Sequence, residues 1–154
     1  MDACKPNSTG PVRLESAFGF GDVLTRLRSE LEMHGYSIMA AIDHRANAEP
    51  IGLAMPATTV LFYGNPKGGT PLMLAAPDFA LELPLRLLVR EGEGGRTFVA
   101  FNTAASLEGK NGLPGGMAAR LAQSEEIIRR AVAGPGLSTG RNHQQPHGGK
   151  SDGR

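Results

Sequence analysis

The sequence is poor in cysteine and in aromatic residues. Cys4 is the only cysteine among 154 residues, which excludes an internal disulfide and any metal site built from several cysteines. Tryptophan is absent and aromatic residues make up only 5% of the chain, so aliphatic side chains must supply most of a core. The apolar fraction of 40% is nevertheless sufficient for one globular domain of this length.

Long apolar runs and a large excess of charge are also missing. No run approaches the roughly 20 apolar residues that a spanning helix needs, and the polar stretch around Cys4 lacks the apolar region of a secretory signal. These absences predict a cytoplasmic protein without a membrane segment. The net charge is +1, and residues 1–133 hold thirteen basic and fourteen acidic groups. This near-neutral balance argues against nucleic acid and anionic membranes as partners.

Apolar periodicity predicts a domain that contains both strands and helices. Val12–Ser16 alternates like a strand, and apolar residues from Phe20 to Leu31 then recur at the spacing of an amphipathic helix with Gly19 as its N-cap. Further strands are predicted at 36–43, 58–63, 83–90 and 96–102, followed by a last helix from Met117 to Val132. This order predicts an α+β fold, β-α-β4-α, with a single mostly antiparallel sheet of about five strands and two long helices on one face.

The two ends of the chain show no apolar period. We therefore predict disordered segments at 1–10 and 135–154 and a single domain over 11–134. In such a domain the second face of the sheet is left to water or to a partner. We expect its apolar members to come from Leu61, Tyr63, Leu88, Val99 and Phe101. So many exposed apolar residues predict a homodimer that uses the sheet or one of its edges.

The most distinctive stretch is 58–76, in which a buried strand leads into a glycine-rich turn. Thr70 followed by Pro71 is typical of an N-cap and first helical residue, so we expect a helix to begin there. Unpaired N–H groups at a helix N-terminus bind anions. The candidate residues for a small anionic ligand are Gly64, Asn65, Lys67, Gly69 and Thr70.

A structural corner is the other interpretation of this stretch. Asn-Pro and Gly-Gly are ordinary turn sequences, and Gly69 and Gly64 would then have backbone angles that a Cβ disfavours. The stretch is not a P-loop, because Lys67 precedes both glycines instead of lying directly before a serine or threonine.

Asp43 and His44 form a second candidate site for ligand binding. The pair is chemically suited to acid–base work or to a metal ion, whereas Asp43 alone is suited to capping a short helix that follows. A structural metal needs about four ligands. His34 lies at a helix end, and the remaining cysteine and histidines lie in the segments predicted to be disordered. We therefore predict no metal site and no cofactor.

Three segments carry a resemblance to a known family. They are Ile42-Asp43-His44, the stretch from Phe62 to Met73 that contains GNPKGGTPLM, and LPLRLLV at 83–89. Together they resemble the family called domain of unknown function 302, over about 12–107. The resemblance implies a compact β-α-β4-α domain grouped with TATA-box-binding-like folds, in which dimers are common, and it implies no reaction. The chain departs from the family at 19–21, where Gly-Phe-Gly replaces the usual Ser-Phe-Asp.

Two functions remain open on these observations. The first is a non-catalytic dimeric module that binds a small ligand or a partner. The second is an enzyme of unidentified reaction that uses Asp43, His44, Asn65 and Lys67. The enzyme hypothesis requires the ends of the second and third strands to lie at the same edge of the sheet, so that these four side chains converge.

Overall fold

The computed structural model describes residues 10–134, and the segments predicted to be disordered lie outside this range except for Gly10. This range contains five strands and four α-helices. In chain order they are β1 (Val12–Glu15), α1 (Phe20–Met33), β2 (Ser37–Asp43), α2 (His44–Ala48), β3 (Thr58–Gly64), α3 (Pro66–Ala75), β4 (Leu85–Glu91), β5 (Thr97–Phe101) and α4 (Gln123–Ala133). Among these residues no helix combines the length and apolar character needed to cross a membrane.

The strands form one open sheet in the order β1-β5-β4-β3-β2, and every neighbouring pair is antiparallel. This confirms the predicted α+β class with a single five-stranded sheet. β1 and β2 are the two edge strands. A bulge at Met39 interrupts the pairing of β2 with β3.

The main core lies between one face of the sheet and the two long helices α1 and α4. Buried residues at helical spacing, such as Leu27 and Leu31 in α1 and Ile128 in α4, pack on this face. The strand residues of the same face alternate as Leu61 and Tyr63 do in β3. Both long helices therefore cover one side of the sheet, as predicted.

The composition of the second, open face differs from the prediction. Leu61, Tyr63, Val99 and Phe101 belong to the core under the helices, and only Leu88 of the predicted set lies on the open face. The prediction assigned strand residues to faces from short apolar runs, in which both alternating sets are apolar and the phase is ambiguous. The apolar residues that the pairing register places on the open face are Ala40, Ile42, Val60, Phe62, Leu88, Phe98 and Ala100.

A second, smaller core lies beyond one end of the sheet. It contains Leu72 of α3, Phe79 and residues of the loop after β5, among them Ala118 and Leu121. The last helix was predicted to begin at Met117, but α4 begins at Gln123 and Ala118–Leu121 is a 3₁₀ turn. The apolar positions before Gln123 pack on this second core and those after it on the main core, so they do not form one helical stripe.

The ends of α1 agree with the sequence. Gly19 is its N-cap, and His34 is its C-cap. The Nδ1 atom of His34 lies 2.7 Å from the carbonyl oxygen of Glu30, one of the last carbonyls of the helix. His34 therefore caps the helix, as the sequence predicted.

Candidate functional site

The helix in the central stretch begins five residues earlier than predicted. β3 ends at Gly64, Asn65 is the N-cap of α3 and Pro66 is its first residue, so Thr70 and Pro71 lie inside the helix. The prediction of a helix start at Thr70 is wrong because Asn65-Pro66 is itself an N-cap followed by a proline at the first position. Gly64, Gly68 and Gly69 do not have positive φ, so the predicted left-handed glycines are also absent from this stretch.

The backbone N–H groups at the start of α3 already have partners. Pro66 has no N–H, and the N–H of Lys67 donates to the Asn65 side-chain oxygen at 3.0 Å. The N–H groups of Gly68 and Gly69 both donate to the Asn65 carbonyl oxygen, at 2.9 and 3.0 Å. The first turn therefore offers no free backbone donor to an anion, and side chains must supply any recognition of negative charge.

A pocket of about 550 Å³ opens beside this helix start. Its volume lies in the range of small-molecule sites in proteins. Five of the seven predicted ligand residues line it, namely Gly64, Asn65, Lys67, Gly69 and Thr70. The structure thus brings the central stretch together around one cavity, although the reason differs from the predicted backbone geometry.

Most of the remaining lining is apolar, and much of it comes from distant parts of the chain. It includes Met39 from β2, Met73 from α3, Leu83–Leu85 before and within β4, and Leu121 from the 3₁₀ turn before α4. Met73 and Leu83–Leu85 lie in segments that carry the family resemblance, whereas Met39 and Leu121 are ordinary apolar positions in the sequence until the fold brings them to this cavity. Tyr36 and Gln123 add polar atoms.

The charged residues of the lining are all cationic. Lys67 and Arg120 line the pocket, and no aspartate or glutamate does. Neither cation forms an ion pair with another residue of the described range 10–134. The pocket therefore combines an apolar surface with two positive charges, which suits an apolar molecule that carries a negative group.

Two tyrosines and a serine connect the pocket to the main core. Tyr36 lies edge-on to Tyr63 with ring centroids 5.7 Å apart. The hydroxyl of Tyr63 is 3.1 Å from the hydroxyl of Ser124, which is buried in α4. Burial raises the pKa of Tyr36, and burial raises the pKa of Tyr63 to about 12. Both phenols are neutral at physiological pH and act as hydrogen-bonding groups.

Asp43 and His44 lie away from the pocket. β2 runs antiparallel to β3, so Asp43 pairs with Thr59 near the start of β3, whereas Asn65 follows its end. The six residue steps from Thr59 to Asn65 separate the two groups by roughly 20 Å at about 3.4 Å per residue. The convergence that the enzyme hypothesis requires does not occur within the described chain.

Asp43 has a structural role instead. Its carboxylate accepts the backbone N–H of Ala46 at 2.9 Å, which makes it the N-cap of α2. This is the capping alternative that the sequence had left open. Within residues 10–134, no group of three or more His, Cys, Asp or Glu side chains is arranged to hold a metal ion.

Comparison with known proteins gives the family. The family model described as "Domain of unknown function DUF302" matches residues 12–133. The crystal structure of an uncharacterized conserved DUF302 protein from Bacillus stearothermophilus has a TM-score of 0.68 at 18% identity, covering 79% of this chain and 94% of that one. This likeness establishes a shared fold.

The curated relatives that match this chain are named as ion channels. The protein called fluoride-specific ion channel FluC 1 of Brucella suis is 30% identical over 131 residues, which are 85% of this chain and 49% of that protein. FluC 2 of Brucella melitensis is also 30% identical, over 46% of its length. The chain thus spans about half the length of the curated relatives it matches. Since the family model covers most of the chain, the protein belongs to the DUF302 family.

Proposed function

We propose that this domain is a non-catalytic binding module whose pocket takes a small, mainly apolar molecule with an anionic group. The observation that carries the proposal is the 550 Å³ pocket, because its lining is largely apolar while Lys67 and Arg120 are its only charged residues. Apolar burial supplies most of the affinity in such sites, and a few polar groups orient the ligand.

The separation of Asp43 and His44 from Lys67 supports a binding function over catalysis. The pocket lining contains no carboxylate or histidine to act as a general base, and the raised pKa values of Tyr36 and Tyr63 leave both phenols neutral. The relatives named as fluoride channels do not suggest the ligand, since a single small ion does not match a mainly apolar pocket of this volume. Their greater length supports the idea of a module within larger proteins.

Thermal unfolding with octanoate, octan-1-ol and inorganic phosphate tests the proposal. Octanoate should raise the melting temperature most, with a stabilisation near 2.7 kcal/mol at a hundredfold excess over its dissociation constant. Octan-1-ol should act more weakly because it lacks the charge. Phosphate alone should have little effect at matched ionic strength, because it has no apolar part to bury in the pocket and the N–H groups at the start of α3 are already bonded.

Two matched pairs of variants locate the effect. Gly68→Leu adds a side chain at the pocket wall and should abolish binding of both apolar probes, whereas Gly21→Leu makes the same change in the first turn of α1. The double variant Lys67→Gln, Arg120→Gln should reduce the melting-temperature rise produced by octanoate to that produced by octan-1-ol. The control double variant Arg28→Gln, Lys110→Gln should keep the full octanoate effect. If neither apolar probe shifts the melting temperature of the parent, the proposal is wrong.

We further propose that the module is a homodimer joined through β2. This strand is an edge of the sheet, and its outer backbone groups have no strand partner among the described residues. Residues 37–42 contain no charge and no proline, the usual devices that keep edge strands apart. Met39 and Ile42 expose 52% and 37% of their surface on this strand. A second copy could pair with it in antiparallel register and continue the sheet.

A further inference from the structure

Three arginine side chains surround one phenylalanine on the open face of the sheet. The guanidinium carbons of Arg13, Arg90 and Arg96 lie 4.1, 5.1 and 5.4 Å from the centroid of the Phe98 ring. All three charges are consequently within about 11 Å of one another, close enough to act on the same ligand. The ring itself is only 6% exposed, so the guanidinium groups form the accessible surface here.

The positive charge of this cluster is only partly balanced. Glu15 is 3.6 Å from Arg96, and both side chains are more than half exposed. Arg13 and Arg90 form no ion pair with any residue between 10 and 134. The cluster therefore carries a net charge of about +2 on the face of the sheet opposite α1 and α4.

An apolar strip adjoins the cluster. The register places Ala100, Leu88, Val60 and Ile42 side by side across four strands, in the row that begins with Arg13 on β1. Leu88 and Val60 are half-buried, and Ile42 is exposed. A ligand lying along this row would meet positive charge at one end and aliphatic side chains over the rest.

We propose that this open face is a docking surface for an acidic polypeptide segment that also carries aliphatic residues. Arginine is the side chain best suited to carboxylates, since its planar group donates two parallel hydrogen bonds. The aliphatic side chains of the segment would cover the strip, which is otherwise left to water. This interaction is separate from the pocket, which lies at the start of β2 and the end of β3, whereas Arg90 pairs with Thr58 at the start of β3.

Other occupants fit the face less well. The segments that lie outside the described residues do not supply the charge: 1–9 contains one acidic and one basic residue, and 135–154 contains one acidic and three basic residues. A second copy packed face to face about a two-fold axis would place its arginines either over the arginines of its partner or over the aliphatic end of the strip, depending on the direction of the axis, and neither arrangement pairs them with carboxylates. Single-stranded nucleic acid needs exposed aromatic faces for stacking, and here the arginines cover Phe98.

The test is fluorescence anisotropy of the full chain with a labelled peptide in which glutamate and leucine alternate. Arg13→Gln with Arg90→Gln should weaken binding about tenfold, while Arg28→Gln on α1 with Lys110→Gln, the matched loss of two charges away from this face, should leave it unchanged. A peptide with lysine in place of glutamate should not bind. In the parent protein, the peptide should shift backbone amide resonances of Arg13, Leu88 and Ala100 and not those of α1, a result that does not depend on any variant.

Several outcomes would overturn this inference. If the Arg13→Gln, Arg90→Gln variant binds the peptide as tightly as the matched control variant, the charged cluster takes no part in the interaction. Tighter binding of a single-stranded oligonucleotide than of the peptide would make this a nucleic-acid surface. Loss of a dimer in the Arg13→Gln, Arg90→Gln variant would assign the face to a second copy. The absence of amide shifts on the open face would place the peptide elsewhere.

Discussion

At the scale of single residues, the glycines of α3 lie in helical backbone that tolerates a side chain. A Cβ on Gly68 would meet nothing within 4 Å, and one on Gly69 would approach the Leu83 Cδ1 atom at 3.3 Å. Gly69 therefore has less room for a side chain than Gly68, although both have helical backbone angles. Gly92 is the opposite case, because a Cβ there would lie 2.6 Å from the Phe98 ring.

Gly68→Ala should consequently stabilise the protein. Alanine reduces the freedom of the unfolded chain, which is worth about 0.4–1 kcal/mol where the native angles suit it. Gly21→Ala, in the first turn of α1 with equal space around it, is the matched control and should gain a similar amount. Chemical denaturation would measure both. A loss of stability at Gly68 alone would mean that the turn requires glycine after all.

The buried phenol of Tyr63 predicts a stability change at high pH. Its pKa is about 12 in the folded protein against an ordinary 10.0, so the folded state keeps a proton that the unfolded state loses between these values. This contribution is fully present below about pH 10 and is lost as the pH rises toward 12, at up to about 1.4 kcal/mol per unit. Denaturation curves at several pH values from about 9 to 11 would measure the slope.

Tyr63→Phe should remove most of that slope. At neutral pH the same substitution should cost about 1 kcal/mol, because the Ser124 hydroxyl loses its partner at 3.1 Å. Tyr36→Phe is the comparison, since the Tyr36 ring is half-buried and its pKa is raised by burial as well. An unchanged slope in the Tyr63 variant would show that other groups control the alkaline transition.

At the scale of elements, the junction between β3 and α3 depends on one side chain. The Asn65 oxygen accepts the Lys67 N–H and so satisfies the first donor of the helix. Asn65→Ala should therefore lower stability by about 1 kcal/mol. Thr70→Ala should be neutral or slightly stabilising, since Thr70 is an exposed residue inside the helix and alanine has the higher helix propensity. The reverse order of these two effects would place the helix start at Thr70.

At the scale of the whole molecule, the exposed edge of β2 bears on assembly. Ala41 is an exposed residue at the middle of that edge. We expect light scattering of the parent protein at micromolar concentration to give the dimer mass. Ala41→Lys should shift it to the monomer mass, because a charge on an edge strand opposes pairing with another edge.

A control and a contrary outcome accompany this prediction. Ala119→Lys places the same charge at an exposed position of the 3₁₀ turn before α4 and should leave the mass unchanged. If the parent protein is a monomer, β2 is not a dimer edge. If both variants remain dimers, the interface lies on another surface.

Local sequence patterns are sufficient to predict the order of elements and the fold class. The alternation in β1 and the helical spacing in α1 are local patterns, and caps such as Gly19 and Asp43 act within a few residues, so both can be recognised without the fold. The resemblance of GNPKGGTPLM to the DUF302 family was likewise confirmed. The start of α3 is also indicated by a local pattern, the N-cap and proline of Asn65-Pro66, but Thr70-Pro71 shows the same pattern five residues later.

The pocket and the open face depend on contacts between distant parts of the chain. Arg120 joins Lys67 because the loop after β5 folds back beside α3, and no local pattern encodes a contact between residues so far apart. Asp43 and Asn65 are separated because β2 and β3 are neighbours in an antiparallel pair; the sequence predicted a mostly antiparallel sheet but did not show which strands are neighbours in it. The sequence also did not show which side chains of β3, β4 and β5 face the core. Both alternating sets in Val60–Tyr63 are apolar, and only packing against α1 and α4 selects the buried set.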